Sequence, residues 1–197
     1  MARRSAAEKE KTHQQILRHA SREFRARGSA VGIADVMKEL GLTQGGFYRH
    51  FNSKDDMFID AVAISFAEVG DRLEKAAEAA EPGHRVEAIV DAYLSKDHLS
   101  HPETWCALAS LAPEIGRMPV AVRKRIDSAT QLYMERMSKY MPGSSAQEQR
   151  KNFFLLFSGM VGAIALIRSL GDAGMREGAL QLAREHHLEV FASREAH

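Results

Sequence analysis

Between Gly41 and Lys54 the chain reads Gly-Leu-Thr-Gln-Gly-Gly-Phe-Tyr-Arg-His-Phe-Asn-Ser-Lys, and several of these side chains suit contact with a nucleic acid. The Gln44 carboxamide carries a donor and an acceptor side by side, which matches the edge of adenine. Tyr48, His50 and Lys54 are hydrogen-bond donors at a reach that suits a phosphate chain. Gly45 and Gly46 let backbone approach closely. Phe47 and Phe51 lie four residues apart, so one edge of the segment is apolar and packs inward while the polar groups point elsewhere.

Such groups work only if something holds them, and the preceding residues supply it. Ile33, Val36, Met37 and Leu40 recur at i, i+3, i+4 and i+7, which predicts a short amphipathic helix. Gly41 ends it where a positive φ carries little penalty. Thr43 stands where its hydroxyl can accept from the first N–H groups of a second short helix. Two short helices joined by a tight glycine turn make a helix-turn-helix, whose second helix lies in the major groove with its N-terminal residues against base edges. Ile16, Leu17, Ala20 and Phe24 mark the buried face of an earlier helix, about Thr12 to Ala26, that braces the pair.

The run from Gly41 to Lys54, followed by Asp55-Asp56-Met57-Phe58, resembles the DNA-binding signature of TetR/AcrR-family transcriptional regulators. The resemblance is specific over about fifty residues. It implies base or near-base contacts from Thr43, Gln44, Gly45 and Tyr48, and phosphate contacts from Tyr48, His50 and Lys54. One position departs from the pattern. Gly32 stands where the family often has Thr or Ser capping the first helix of the motif, which puts the phosphate contact usual at that spot in doubt but not the fold.

Composition agrees with a globular DNA-binding chain. Of 197 residues, 45% are apolar and 27% charged, against global disorder. The net charge of +1 hides an asymmetry: residues 1–55 hold eleven Lys/Arg against six Asp/Glu, and residues 56–197 hold sixteen against twenty. The basic end carries the motif, as phosphate binding requires. Met1 to Lys11 is charged and lacks apolar periodicity, so it reads as a solvated tail or as an arm from which Arg3 and Arg4 touch DNA. Cys106 is the single cysteine, which excludes an intrachain disulfide. With no secretory segment at the start, a cytoplasmic location is expected. Phe153 to Ile167 is uncharged but short of the roughly twenty residues a membrane span needs, so no membrane role is expected.

Beyond the motif the pattern stays helical. Ser53 caps a long helix, about Lys54 to Ala79, with Asp55 and Asp56 in its first turn and Phe58, Val62, Phe66, Val69 and Leu73 at helical spacing. At 1.5 Å per residue it spans more than about 30 Å, enough to join a head to a body. Glu81-Pro82-Gly83 breaks the pattern. Val86, Ile89, Val90, Tyr93 and Leu94 predict a helix ending near Asp97, with a polar linker from Ser95 to His101. Pro102, Pro113 and Pro119 punctuate short pieces, and Val122, Ile126, Ala129, Tyr133 and Met137 form another helix. From Ala146 to Leu170 apolar residues cover nearly the whole circumference, which predicts partners on several sides. Gly159, Gly162 and Ala163 leave room for a close neighbour, and Leu180, Ala183, His187, Val190 and Phe191 give a last helix a matching stripe.

The expected architecture is therefore all-α: a three-helix helix-turn-helix domain over residues 1–53 and a helical ligand-binding and dimerisation domain over 54–197. Phe157, Met160, Gly162, Ile164, Ile167, Leu180, Val190 and Phe191 are expected to form a homodimer interface. Phe66, Val69, Leu73, Tyr93, Trp105, Cys106, Tyr133, Met134 and Met137 are candidates to line a pocket for a small hydrophobic or aromatic ligand, since pockets are walled this way and Met adapts to varied shapes. The resemblance implies a repressor that a ligand releases from a palindromic operator in double-stranded DNA. A ligand-independent architectural DNA-binding protein is the alternative. Cofactors and metals are not expected: His98, His101, His186 and His187 lack a cysteine or carboxylate set. An enzyme is not expected either, since no nucleophile elbow, phosphate loop or dinucleotide fingerprint is found.

Overall fold

The computed structural model describes residues 6–192, and among them every regular element is helical. In order these are α1 (Ala6–Arg27), α2 (Ile33–Glu39), α3 (Gln44–Phe47), α4 (Lys54–Ala79), α5 (Arg85–Tyr93) and α6 (Lys96–Ser100). A 3-10 turn at Pro102–Thr104 leads into α7 (Ala107–Arg117), α8 (Val120–Ser138), α9 (Ala146–Ser169) and α10 (Ala173–Phe191). Arg3 and Arg4 lie outside the described residues.

Helix α1 starts at Ala6, before the apolar pattern does. Ala, Glu and Lys are strong helix formers, and the extra turns carry their own bonds, with the Thr12 hydroxyl donating to the Glu8 carbonyl at 2.9 Å and the Gln14 amide to Glu10 at 2.8 Å. The buried stripe is Ile16, Leu17, Ala20 and Phe24. Gly28 then turns the chain at φ +85°, and a side chain there would sit 2.8 Å from a Glu114 carboxylate oxygen. Gly32 caps α2 through its backbone alone, its N–H donating to Asp35 at 3.3 Å. Gly41 ends that helix at φ +66°.

Ser53 caps α4 by accepting from the Asp56 N–H at 3.0 Å, and the 26 residues of this helix span about 39 Å. Its start packs in the head, where Phe58 meets Phe24 edge to face at 5.0 Å. Further along, Phe66 stacks on Tyr133 of α8 at 5.2 Å. Arg136 of α8 pairs with Glu74 and with Asp71 of α4, and the Tyr140 hydroxyl donates to Glu74 at 2.8 Å. These donors, Arg136 first, hold the Glu74 carboxyl down at about 2.

Three local expectations change. The stretch taken as a polar linker is helix α6, capped by the Ser95 hydroxyl accepting from the His98 N–H at 3.2 Å. Pro113 lies inside α7 rather than ending it. Helix α9 is apolar on two sides but uses them differently. One side is buried within the chain through Phe153, Leu156, Phe157, Met160, Ile164 and Ile167, packed against α7, α8 and α10. The other leaves Phe154 and Leu166 60% and 66% exposed. By length and composition α9 could cross a bilayer, but its buried face is fully used by its own chain. Gly159 makes room for α10: a Cβ there would lie 2.5 Å from the His187 Nε2. Arg184 ties α10 to α5 by a two-pronged pair with Asp91 at 2.5 and 2.9 Å.

Candidate functional site

In the head, two buried rings set the display. Phe47 is fully buried and stacks on Phe51 at 5.4 Å, fixing α3 and the turn after it. That turn continues the helical path through the Arg49, His50 and Phe51 N–H groups, which donate to Gly46 and Phe47 carbonyls at 2.8–3.2 Å. With the aromatic edge inside, Thr43, Gln44, Gly45, Tyr48 and Arg49 are all exposed, Tyr48 by 64%. His50 is half-buried beside His13 of α1, ring centroids 6.0 Å apart, and Lys54 is half-buried at the start of α4. Thr43 departs from its expected role. It occupies the cap position of α3 with no side-chain bond to the helix, so its exposed hydroxyl is available outward. A residue missed from sequence is Arg49, whose guanidinium is exposed beside Tyr48; its position between two aromatic anchors was the signal.

In the body, the expected pocket residues are mostly packed core. Phe66, Val69, Leu73, Tyr93, Trp105, Cys106, Tyr133 and Met137 are all buried. Of them, Met134, half-buried, lines the open cleft of about 490 Å³ between α7, α8 and α9, together with Leu108, Ala112, Phe154, Phe157 and Val161, while Phe66 and Tyr133 line a smaller pocket of about 200 Å³ between α4 and α8. The expected dimer residues divide similarly. Phe157, Met160, Ile164, Ile167, Leu180 and Phe191 are buried within the chain and Val190 is half-buried, whereas Gly162 is exposed with nothing within 4 Å of where a Cβ would stand. On these two helices, spacing gave the face turned to the core. The outward residues are Phe154, Leu155 and Leu166 on α9 and Met175 and Leu182 on α10.

Behind the cleft, polar atoms are buried without partners. Phe157 is ringed by Tyr93 at 5.9 Å and Tyr133 at 5.1 Å; the Tyr133 hydroxyl has no hydrogen-bond partner, and the Tyr93 hydroxyl meets only the weakly accepting Cys106 thiol. Burial raises both phenols well above their ordinary range, so they stay protonated. Burial likewise pushes the adjacent Cys106 thiol up, leaving it unreactive as a nucleophile. His98 donates from Nδ1 to the Tyr93 carbonyl at 2.8 Å and stacks on Trp105 at 4.6 Å. Burial drops it to about 3, so it is neutral. His101, exposed just past the end of α6, points to Asp97 and Glu103 instead, and the two imidazoles share no site.

Trp105 sits where head meets body. Its indole N–H donates to Asp97 at 2.7 Å, and Arg72 lies over the ring at 4.2 Å. Its carbonyl accepts from Arg25 of α1 at 2.7 Å. Arg25, 3% exposed, also donates to the Ser21 carbonyl at 3.1 Å and to Glu68 of α4 at 2.9 Å. Nearby the Ser29 N–H donates to Glu114 of α7 at 2.6 Å.

The head is thus a helix-turn-helix with an exposed polar surface, braced by α1 and α4 and joined to an all-helical body. Residues 16–61 match the family described as bacterial regulatory proteins, tetR family. The chain is 38% identical over 79 residues to the HTH-type transcriptional regulator TtgR of Pseudomonas putida, a stretch that is 40% of this chain and 37% of that protein. It is 36% identical over 84 residues to the HTH-type transcriptional regulator AcrR of Shigella flexneri, or 42% of this chain and 39% of that one. The matched stretch thus spans well under half the length of these relatives. The whole fold is similar to that of a TetR-family transcriptional regulator from Cytophaga hutchinsonii, with a TM-score of 0.73 at 17% identity, covering 94% of this chain and 98% of the other.

Proposed function

We propose that this chain is a cytoplasmic, sequence-specific transcriptional regulator that binds an operator as a homodimer and is released from it by a small apolar molecule. The reading rests on one observation above all: Thr43, Gln44, Gly45, Tyr48 and Arg49 are exposed together on a helix held rigid by Phe47 and Phe51. Gln44 and Thr43 read base edges, Gly45 admits the backbone, and Tyr48, Arg49, His50 and Lys54 hold phosphates. The division into a head of residues 1–53 and a body of 54–197 follows. Two heads demand a two-fold site, and the outward apolar faces of α9 and α10 supply the contact that pairs them, since apolar patches of this kind mark interfaces.

Release requires the body to prefer one spacing of the heads when a ligand is bound. Two routes link them: α4, which is continuous from head to body, and the Arg25 bonds that fix α1 to the Trp105 carbonyl and to Glu68. A ligand that displaces α7 or Trp105 therefore tilts α1 and with it the motif. Selection of bound fragments from random DNA, repeated with candidate ligands, tests the proposal. A single palindrome lost on ligand addition supports it, and binding with no sequence preference points to an architectural role instead.

A further inference from the structure

We propose that Tyr93, Tyr133 and Arg168 form the polar end of a binding site for a small apolar carboxylate, reached from the α7/α8/α9 cleft by displacement of Phe157. This rests on the ligand-response reading above and gives it a chemical class. Buried polar atoms normally find partners, yet the Tyr133 hydroxyl and the Arg168 Nε are sealed from solvent with none, and the Tyr93 hydroxyl meets only the weakly accepting Cys106 thiol. They belong to one neighbourhood: both phenol rings touch Phe157, and Arg168 acts electrostatically on both Tyr93 and Cys106. Arg168 is the sole charge between Asn152 and Gly171. Its terminal nitrogens donate to the His98 carbonyl and to the Ser110 hydroxyl at 3.2 Å, but among the described residues no carboxylate pairs with it.

The missing group is thus an acceptor with negative charge. A guanidinium that acts on Tyr93, with the protonated Tyr133 phenol on the same Phe157 ring, matches a carboxylate, whose oxygens take several donors at once. An internal water would satisfy a hydroxyl but bring no charge to the guanidinium, on which only Glu103 acts among carboxylates and without a direct ion pair, and a cationic ligand would face Arg168 directly. Phe157 lines the cleft on one side and contacts both tyrosines on the other, so its rotation joins the 490 Å³ cleft, whose otherwise mainly apolar wall also carries Glu135 and Arg150, to the donors. The ligand's apolar body then lies among Leu108, Ala112, Met134 and Val161.

The test uses three probes of one shape on the full chain: 2-naphthoate, 2-naphthamide and 2-naphthylmethylamine, measured by calorimetric titration. Naphthoate should bind at least about tenfold tighter than the amide, as a charge-assisted pair implies, and the amine weakest. Arg168→Gln should erase that preference. Tyr133→Phe should weaken naphthoate alone while leaving the melting temperature of the ligand-free protein unchanged or raised, because the hydroxyl it removes has no partner; this keeps the test valid if Arg168→Gln fails to fold. Phe157→Leu should speed association. Equal binding of acid and amide, tighter binding of the amine, or no binding of any probe at millimolar concentration overturns the inference. Release of operator by an uncharged or cationic molecule alone overturns it while sparing the regulator reading, whereas selective naphthoate binding in a protein with no operator upholds it and sinks the other.

Discussion

Replacing Arg25 by Met isolates the bond between head and body. The methionine keeps much of the apolar stem, so the loss is chiefly polar. The buried Trp105 carbonyl, accepting at 2.7 Å, is left without that donor, which costs about 1–3 kcal/mol. Glu68 has a side chain 35% exposed and turns to water, so its share is about 0–1 kcal/mol. The Ser21 carbonyl lies within the helix and keeps its backbone donor. Against this stands relief, since burial lowers the Arg25 pKa and so penalises its charge. The net expectation is a loss of about 1.5–3 kcal/mol, a sizeable part of a domain's usual 5–15. Urea denaturation followed by circular dichroism measures it, with Glu68→Gln as the control expected to lose less than about 1 kcal/mol. Operator release should also require more ligand, because α1 no longer follows Trp105. The argument fails if Arg25→Met loses under about 0.5 kcal/mol, or if Glu68→Gln proves the more damaging change.

Other consequences are simpler to state. Lys54→Ala should weaken binding to all DNA sequences and flatten the salt dependence by about one unit, whereas Gln44→Ala should relax preference at one base position; fluorescence anisotropy on specific and random duplexes separates these, and equal losses for Gln44→Ala remove it from base reading. Gly162→Ala should stabilise the isolated chain by about 0.5–1 kcal/mol, because nothing in the chain meets the new methyl group and glycine weakens helices. Gly162→Leu should raise the dimer dissociation constant at least about tenfold in sedimentation equilibrium, and an unchanged constant would place the interface elsewhere. His98 is held at about 3 against an ordinary 6.5, so the unfolded chain takes up the proton first. Stability is therefore intact above pH 6.5 and falls toward pH 3 by up to about 1.4 kcal/mol per unit. His98→Gln should remove that slope between pH 6 and 4, and an identical pH profile for both proteins would show that His98 is protonated when folded.

How far the sequence carried the reading depended on whether a feature was local. The head was legible because its logic is written within twenty residues: Gly41 must turn at positive φ, Phe47 and Phe51 must face in, and the polar groups between them then have to face out. The long helix was legible from Ser53 and its two following aspartates, since capping is a contact between neighbours. Helix α1 was read short because good helix formers extend a helix without adding apolar period. Gly159 and Gly162 looked alike in sequence, yet one receives His187 and the other faces open space. That difference lies in the path of α10, which periodicity in α9 does not encode.

The body's interior was the least legible part, for a reason that bears on function. Tyr93, Trp105 and Tyr133 were grouped as pocket wall on size and apolarity, but their roles diverge through groups distant in sequence. Trp105 belongs to the seam because Arg25, eighty positions earlier, takes its carbonyl, and Tyr93 belongs to the buried polar cluster because Cys106 takes its hydroxyl and Arg168 arrives from α9. The two assignments meet at His98, which holds the Tyr93 carbonyl on one side and stacks on Trp105 on the other. A group that drew the Tyr93 hydroxyl toward Arg168 would thus pull on the same short chain of contacts that ends at α1. Ligand sensing and head position then share one physical path, and Arg25→Met and Tyr93→Phe should each blunt release while acting at opposite ends of it. If the double variant responds no worse than either single one, the path is shared; strictly additive losses would mean that α4 alone carries the signal.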